Sequence, residues 1–141
     1  MNRVVFVGMC NKKGFAPLDS KSKSGKLIDK VIAELQCELD MFGWEFLKTN
    51  LYDQEGWPNK RYSSDIYDWA SRVEYTGDDI VIVLGQSVRD VFSKGTLEFI
   101  GMGHPSAVWS NEKQKEYIKR SRILVASVIR ARELNKSLKF E

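Results

Sequence analysis

The five residues Ile80-Val81-Ile82-Val83-Leu84 are all apolar, four of them are β-branched, and Gly85 follows at once. A run this short and unbroken reads as a strand buried on both faces, because a strand with one wet face alternates apolar and polar residues. Val4-Val5-Phe6-Val7, closed by Gly8, repeats the pattern near the start of the chain. Helical spacing fills the intervals. Ser24 is placed to cap a helix from about Gly25 to Phe42, with Ile28, Val31, Ile32, Leu35 and Leu39 on one stripe and Gly43 as its stop. Trp44–Thr49 is the next predicted strand, and Ser63 or Ser64 opens a helix through about Tyr75. Gln86–Phe92 is a short helix and Leu97–Ile100 a fourth, shorter strand. Ser110 caps a last helix to about Leu134, where Ile118, Val125 and Ile129 share a stripe and Asn135 is the stop. Buried strands alternating with helices require a parallel sheet covered on both faces. The expected fold is therefore a three-layer α/β/α sandwich around a four-stranded parallel sheet, in one domain spanning residues 1–141.

Composition narrows the chemistry. With one histidine, His104, the chain has no His-His metal site and no relay of two imidazoles. Two cysteines make neither a disulfide framework nor a four-thiolate cluster, and Cys37 reads as core packing beside the first helix's stripe. No metal and no cofactor are expected. No stretch reaches the ~18 apolar residues of a spanning helix, so a cytoplasmic protein with reduced thiols and no membrane partner is expected, as a monomer. The net charge is only +3, but residues 12–30 carry six Lys against two Asp, and residues 112–141 nine Lys or Arg against four Glu. Two basic segments suit phosphate contacts or, equally, solvated helix faces.

In parallel sheets ligands bind beyond the carboxyl ends of the strands. The first such end is Gly8-Met9-Cys10-Asn11, continuing through Lys12, Lys13, Phe15 and Leu18. It carries neither a Walker Gly-Lys-Ser/Thr nor the glycine spacing of a dinucleotide fingerprint. The second end is Thr49-Asn50, whose amide offers donors and an acceptor side by side, as a nucleobase edge does. The third is Gly85-Gln86-Ser87, and the fourth is the shaped loop Gly103-His104-Pro105-Ser106-Ala107-Val108-Trp109.

In order and spacing these pieces resemble the uracil-DNA glycosylase superfamily. Its members have a strand ending in Gly-x-Asp/Asn/Ala-Pro, a loop through Pro-Phe/Leu and Ser-Gly into a helix, a strand ending in Asn, and a late His-Pro-Ser loop before a C-terminal helix. Here the counterparts are Gly8-Met9-Cys10-Asn11, Pro17-Leu18, Ser24-Gly25, Thr49-Asn50 and His104-Pro105-Ser106. The resemblance implies a DNA partner and excision of uracil or a related modified pyrimidine from a flipped nucleotide. Asn50 would read the base edge, within a pocket formed by Gly8, Met9, Phe15 and Leu18. His104 would donate to the base O2 as the glycosidic bond breaks. Pro105 and Ser106 would grip the DNA backbone, Val108 with Trp109 would fill the gap left by the base, and Gln86, Ser87, Lys12 and Lys13 would meet phosphates.

The chain departs from the family at the position that handles water. Cys10 stands where active branches keep Asp or Asn, and Asn11 replaces the proline after it. Three outcomes stay open: Asn11 supplies the polar group, water attacks unassisted, or the reaction is lost. Leu18 stands where many members stack a Phe, so Phe15, Tyr52 or Trp57 would have to take that part. A module that binds modified DNA or nucleotides without cleaving them is the alternative. A small-molecule-binding α/β domain for a nucleoside or nucleotide is a third reading.

Overall fold

The computed structural model describes residues 2–11, 14–108 and 110–138. The elements run β1 (Arg3–Gly8), α1 (Lys23–Phe42), β2 (Glu45–Asn50), α2 (Asp65–Arg72), β3 (Ile80–Leu84), α3 (Gln86–Ser93), β4 (Ile100–Met102), a 3₁₀ turn (Pro105–Ala107) and α4 (Asn111–Leu138). All strand pairs are parallel and the sheet order is β2-β1-β3-β4. Right-handed crossovers then dictate the layers. The step from β1 to β2 goes one way along the sheet, and the steps from β2 to β3 and β3 to β4 go the other. Accordingly α1 lies on one face and α2 with α3 on the opposite one, while α4 returns to cover the α1 face.

The alternation of the strands builds both cores. Val4, Phe6, Ile80, Ile82 and Leu84 pack under α1 and α4, whereas Val5, Val7, Val81 and Val83 pack under α2 and α3. This is why β1 and β3 are continuously apolar: neither face meets water. Ion pairs lock the helical layer from outside. The carboxylate of buried Glu38 on α1 meets Arg130 at 3.1 Å and Arg122 at 3.6 Å, both from α4. Arg132 reaches the carbonyls of Gly77 and Asp78, and Arg3 pairs with buried Asp79 at 2.8 Å. Gly77, Asp78 and Asp79 precede β3, at the end of the sheet opposite its carboxyl ends. The arginines in the second half of α4 are thus tied to α1 and to that far end. Of the basic residues at 112–141, Arg122, Arg130 and Arg132 therefore serve contacts within the fold.

Several boundaries differ from the sequence reading, each for a visible reason. Helix α1 is capped by Ser22, not Ser24, because Ser22 Oγ accepts from Gly25 N–H at 2.9 Å. Helix α2 ends early: Glu74 takes a left-handed φ of 55° and Tyr75 N–H closes back on the Ala70 carbonyl. Strand β4 starts at Ile100, three residues after the predicted start. Leu97 and Phe99 owe their apolar character to packing on the α2–α3 core and not to ladder pairing. Asn135 does not stop α4, which runs to Leu138. Cys37 is exposed, not core: it is two residues from Leu35 and from Leu39, a rotation of about 200° away from the stripe.

Gly43 does end α1 as read, with φ 70° and its N–H on the Leu39 carbonyl. A Cβ there meets nothing within 4 Å, so Gly43→Ala isolates the cost of the left-handed conformation. The expected result is a loss of about 1 kcal/mol in urea unfolding with an unchanged slope. No helix among the described residues is long and apolar enough to cross a membrane.

Candidate functional site

The register aligns Gly8 with Asn50, Val7 with Val83 and Leu84 with Met102, so all four strand ends and the loops after them open on one side. They surround a cleft of about 810 Å³ lined by Cys10, Phe15, Leu18, Asn50, Gln86 and His104, among others. Its position follows from the topology, since the chain steps from β1 to β2 one way along the sheet and from β2 to β3 the other, and a crevice forms at that reversal between β1 and β3.

Asn50 lies on the cleft floor and is only 5% exposed. Its backbone carbonyl is held at 2.7 Å by Arg72 from α2, and the preceding Thr49 hydroxyl bonds the Phe6 carbonyl at 2.9 Å. A Cβ at position 8 would lie 2.5 Å from Asn50 Oδ1, so the close approach of this amide to β1 requires Gly8. Asn50 Nδ2 donates to Asn11 Oδ1. Asn11 is therefore coupled to Asn50 in an amide pair that uses one Nδ2 hydrogen of Asn50 and the Oδ1 acceptor of Asn11, and among the described residues the second Nδ2 hydrogen of Asn50 makes no bond. The Asn11 backbone is also fixed: its N–H donates to Gln54 O at 2.9 Å and its carbonyl accepts from Gly56 N–H at 3.2 Å. The loops after β1 and β2 thereby continue the sheet's pairing past the strand ends.

His104 enters from the far side, after β4. Its Nδ1 accepts the Ser106 backbone N–H at 3.1 Å and contacts Ser106 Oγ at 2.5 Å. A backbone N–H can only donate, so Nδ1 is the acceptor in that bond, and a neutral ring bonded this way carries its hydrogen on Nε2; the Ser106 Oγ contact can run in either direction. The ring packs on Gly85, where a Cβ would lie 3.1 Å from His104 Cβ and the φ of 93° already favours glycine. Behind it, Tyr117 of α4 donates to the Gly103 carbonyl at 2.8 Å. Burial pushes the Tyr117 phenol well up, so it remains a donor at ordinary pH.

Electrostatically the cleft favours negative charge. Ser22 and Ser24 at the start of α1, and Gly85 to Ser87 at the start of α3, all line it, so two helix N-termini face the same space. Of the carboxylates at the rim, Asp19 accepts the backbone N–H groups of Lys21 and Ala16, which hold its pKa below the usual carboxylate range. Glu55 accepts from Gly14 N–H. Burial pushes the Cys10 thiol up, so it is a neutral thiol and not a base at neutral pH. Among the described residues no three His, Cys, Asp or Glu side chains cluster so that they could hold a metal ion.

Of the residues singled out from sequence, Gly8, Met9, Cys10, Asn11, Phe15 and Leu18 line the cleft, as do Asn50, Gln86, Ser87, His104 and Ser106. Gln86 does so with its amide donated to Asp90 of its own helix at 2.6 Å. Pro105 is buried, opening the 3₁₀ turn, so it shapes the His104 loop and presents no surface to grip a strand. Val108 is half-buried and does not line the cleft. Lys12, Lys13 and Trp109 lie outside the described residues. Glu55 and Gly56 of the strap at 54–56, with Trp57, complete the cleft wall. Trp57 stood only among the aromatic substitutes for the family's Phe, and the strap's pairing with Asn11 is a long-range backbone contact with no local signal. No family model, no curated protein and no solved structure matches this chain.

Proposed function

We propose that this chain is a base-excising hydrolase of the uracil-DNA glycosylase type, acting on uracil or a related modified pyrimidine flipped out of DNA. The single observation that carries the reading is that His104 stands in the cleft whose floor is Asn50, with its Nδ1 turned to the Ser106 N–H. A neutral ring bonded this way is a donor through Nε2. A departing pyrimidine needs that donor at its O2, where negative charge develops as the bond to C1′ breaks. Two helix N-termini support the same charge. The Asn50 amide supplies the polar contact to the base edge, and Met9, Leu18 and Phe15 supply an apolar wall. Cys10 is a neutral thiol and the rim carboxylates are engaged by backbone N–H groups, so catalysis rests on stabilising the leaving base, and water adds to the sugar cation after the base has gone. The proton balance is simple: the base leaves as an anion and water, on adding at C1′, releases its proton to solvent.

The test is incubation with oligonucleotides carrying uracil, hydroxymethyluracil, hypoxanthine or a mismatch, followed by alkali. Strand scission at one modified pyrimidine is expected; intact strands with every substrate would sink the activity. The Cys10 thiol and the engagement of Asn11 by Asn50 favour a second reading, a module that binds the modified base without cleaving it. That reading predicts tighter binding to modified than to plain DNA alongside no scission.

A further inference from the structure

Trp57 is 56% exposed and yet lines the cleft, at its mouth. An exposed indole in a loose loop would carry no meaning, but the segment that presents this one is braced on three sides. Asn11 N–H donates to Gln54 O and Gly56 N–H to Asn11 O, while Glu55 accepts from Gly14 N–H at 3.3 Å. Gly56 takes a φ of 77°, the turn that brings Trp57 to the rim, and Pro58 holds Trp57 out of the helical region. The ring also has a partner: the Arg61 guanidinium lies over it at 5.0 Å from the centroid. Arg61 makes no ion pair among the described residues, and the nearest acid in sequence, Asp65, is engaged by Tyr52 Oη and the Tyr62 N–H. The indole is thus covered by a cation on one face while more than half of the residue stays exposed where it lines the cleft.

We propose that Trp57 and Arg61 form a second nucleotide subsite, which stacks the unpaired base next to the flipped one on the indole and takes its phosphate on the guanidinium. This rests on reading the cleft as a nucleotide pocket. Asn50 lies on the floor, so the base it reads is enclosed by the apolar wall there, and the ring at the mouth is left for a neighbour. A neighbouring base can stack on protein only if it has left its own duplex stack. The preferred substrate is accordingly single-stranded or locally unpaired DNA. Stacking on an aromatic ring is insensitive to base identity, so this subsite selects strandedness and not sequence.

Binding of oligothymidylate, about twelve nucleotides long, tests the subsite without calling on excision, since it carries no modified base to remove. Fluorescence anisotropy of a labelled strand should show tighter binding than to the same strand in duplex, and tighter than to an abasic strand of equal length. Trp57→Ala should weaken thymidylate binding about tenfold or more and abolish the preference over the abasic strand; Trp57→Phe should keep most of both. Arg61→Ala should lower the slope of log K against log salt by about 0.7, one phosphate contact on a single strand. Equal affinity of the wild-type chain for thymidylate and abasic strands, equal affinity for single strand and duplex, or no effect of Trp57→Ala would each overturn the proposal. If excision fails in every substrate while these preferences hold, the subsite stands and the glycosylase reading falls.

Discussion

His104→Ala should slow single-turnover excision by about two to three orders of magnitude while leaving the folded state intact, the scale of removing one transition-state donor. The side chain is half-buried on a loop after β4 and belongs to neither core cluster, so its truncation opens no core cavity. His104→Gln places an amide N–H near the former Nε2 and should recover part of the loss. Ser106→Ala removes the hydroxyl contact but keeps the backbone N–H on Nδ1, so it should cost much less than His104→Ala. Asn50→Ala should also cost about two orders of magnitude, for a different reason: it loses the base-edge contact and strands Asn11 Oδ1 on the cleft floor. The two substitutions can be told apart by saturation. The His104 effect should persist with excess enzyme, since it acts on a charge that appears only during bond breaking. Part of the Asn50 effect should appear as weaker binding. Unchanged rates in both variants would refute the residue assignment even with the activity intact.

The parts of the molecule that a sequence can express locally were readable, and those made by distant segments were not. The runs Val4–Val7 and Ile80–Leu84 announced two strands buried on both faces, and alternation with helices required the parallel four-stranded sheet. Strand ends then pointed to Gly8, Asn50, Gly85 and His104, which do share one cleft. Strand β4 was misplaced because burial and pairing leave the same apolar mark: Leu97 and Phe99 are packed but unpaired. Cys37 was misread because nearness in sequence to a stripe is not nearness in angle. The basic residues of α4 gave a charge count with no direction. Only the contacts of Arg122 and Arg130 with Glu38, and of Arg132 with the carbonyls before β3, show that they serve the helical layer and the far end of the sheet. The coupling of Asn11 to Asn50 and the Trp57 strap arise where two loops meet across 39 residues or more, which no period or propensity encodes.

The same cleft depends on a residue that never touches it. Trp69→Ala should destabilise the chain by about 3–5 kcal/mol, a large part of the ~5–15 kcal/mol that holds a domain together. Trp69 is fully buried on α2 and is the bulkiest such side chain among the described residues. Phe92 meets it edge-on at 5.5 Å and Tyr75 tilts against it at 6.3 Å, so truncation opens a void walled by rings that cannot collapse together without moving α3. The indole N–H also donates to Thr49 Oγ1 at 3.1 Å, whose own hydrogen goes to the Phe6 carbonyl. Trp69 therefore holds the Thr49 hydroxyl that ties the end of β2 to β1, one residue before Asn50. Trp69→Phe should refill most of the void but lose that bond, at about 1–2 kcal/mol. Urea unfolding followed by circular dichroism distinguishes the cases, with the midpoint falling and the slope held. Trp57→Ala should stay within about 0.5 kcal/mol of wild type, because its ring is exposed and covers no core. A Trp69→Ala chain with a wild-type midpoint would mean that the α2–α3 layer does not carry the strand end on which Asn50 is presented.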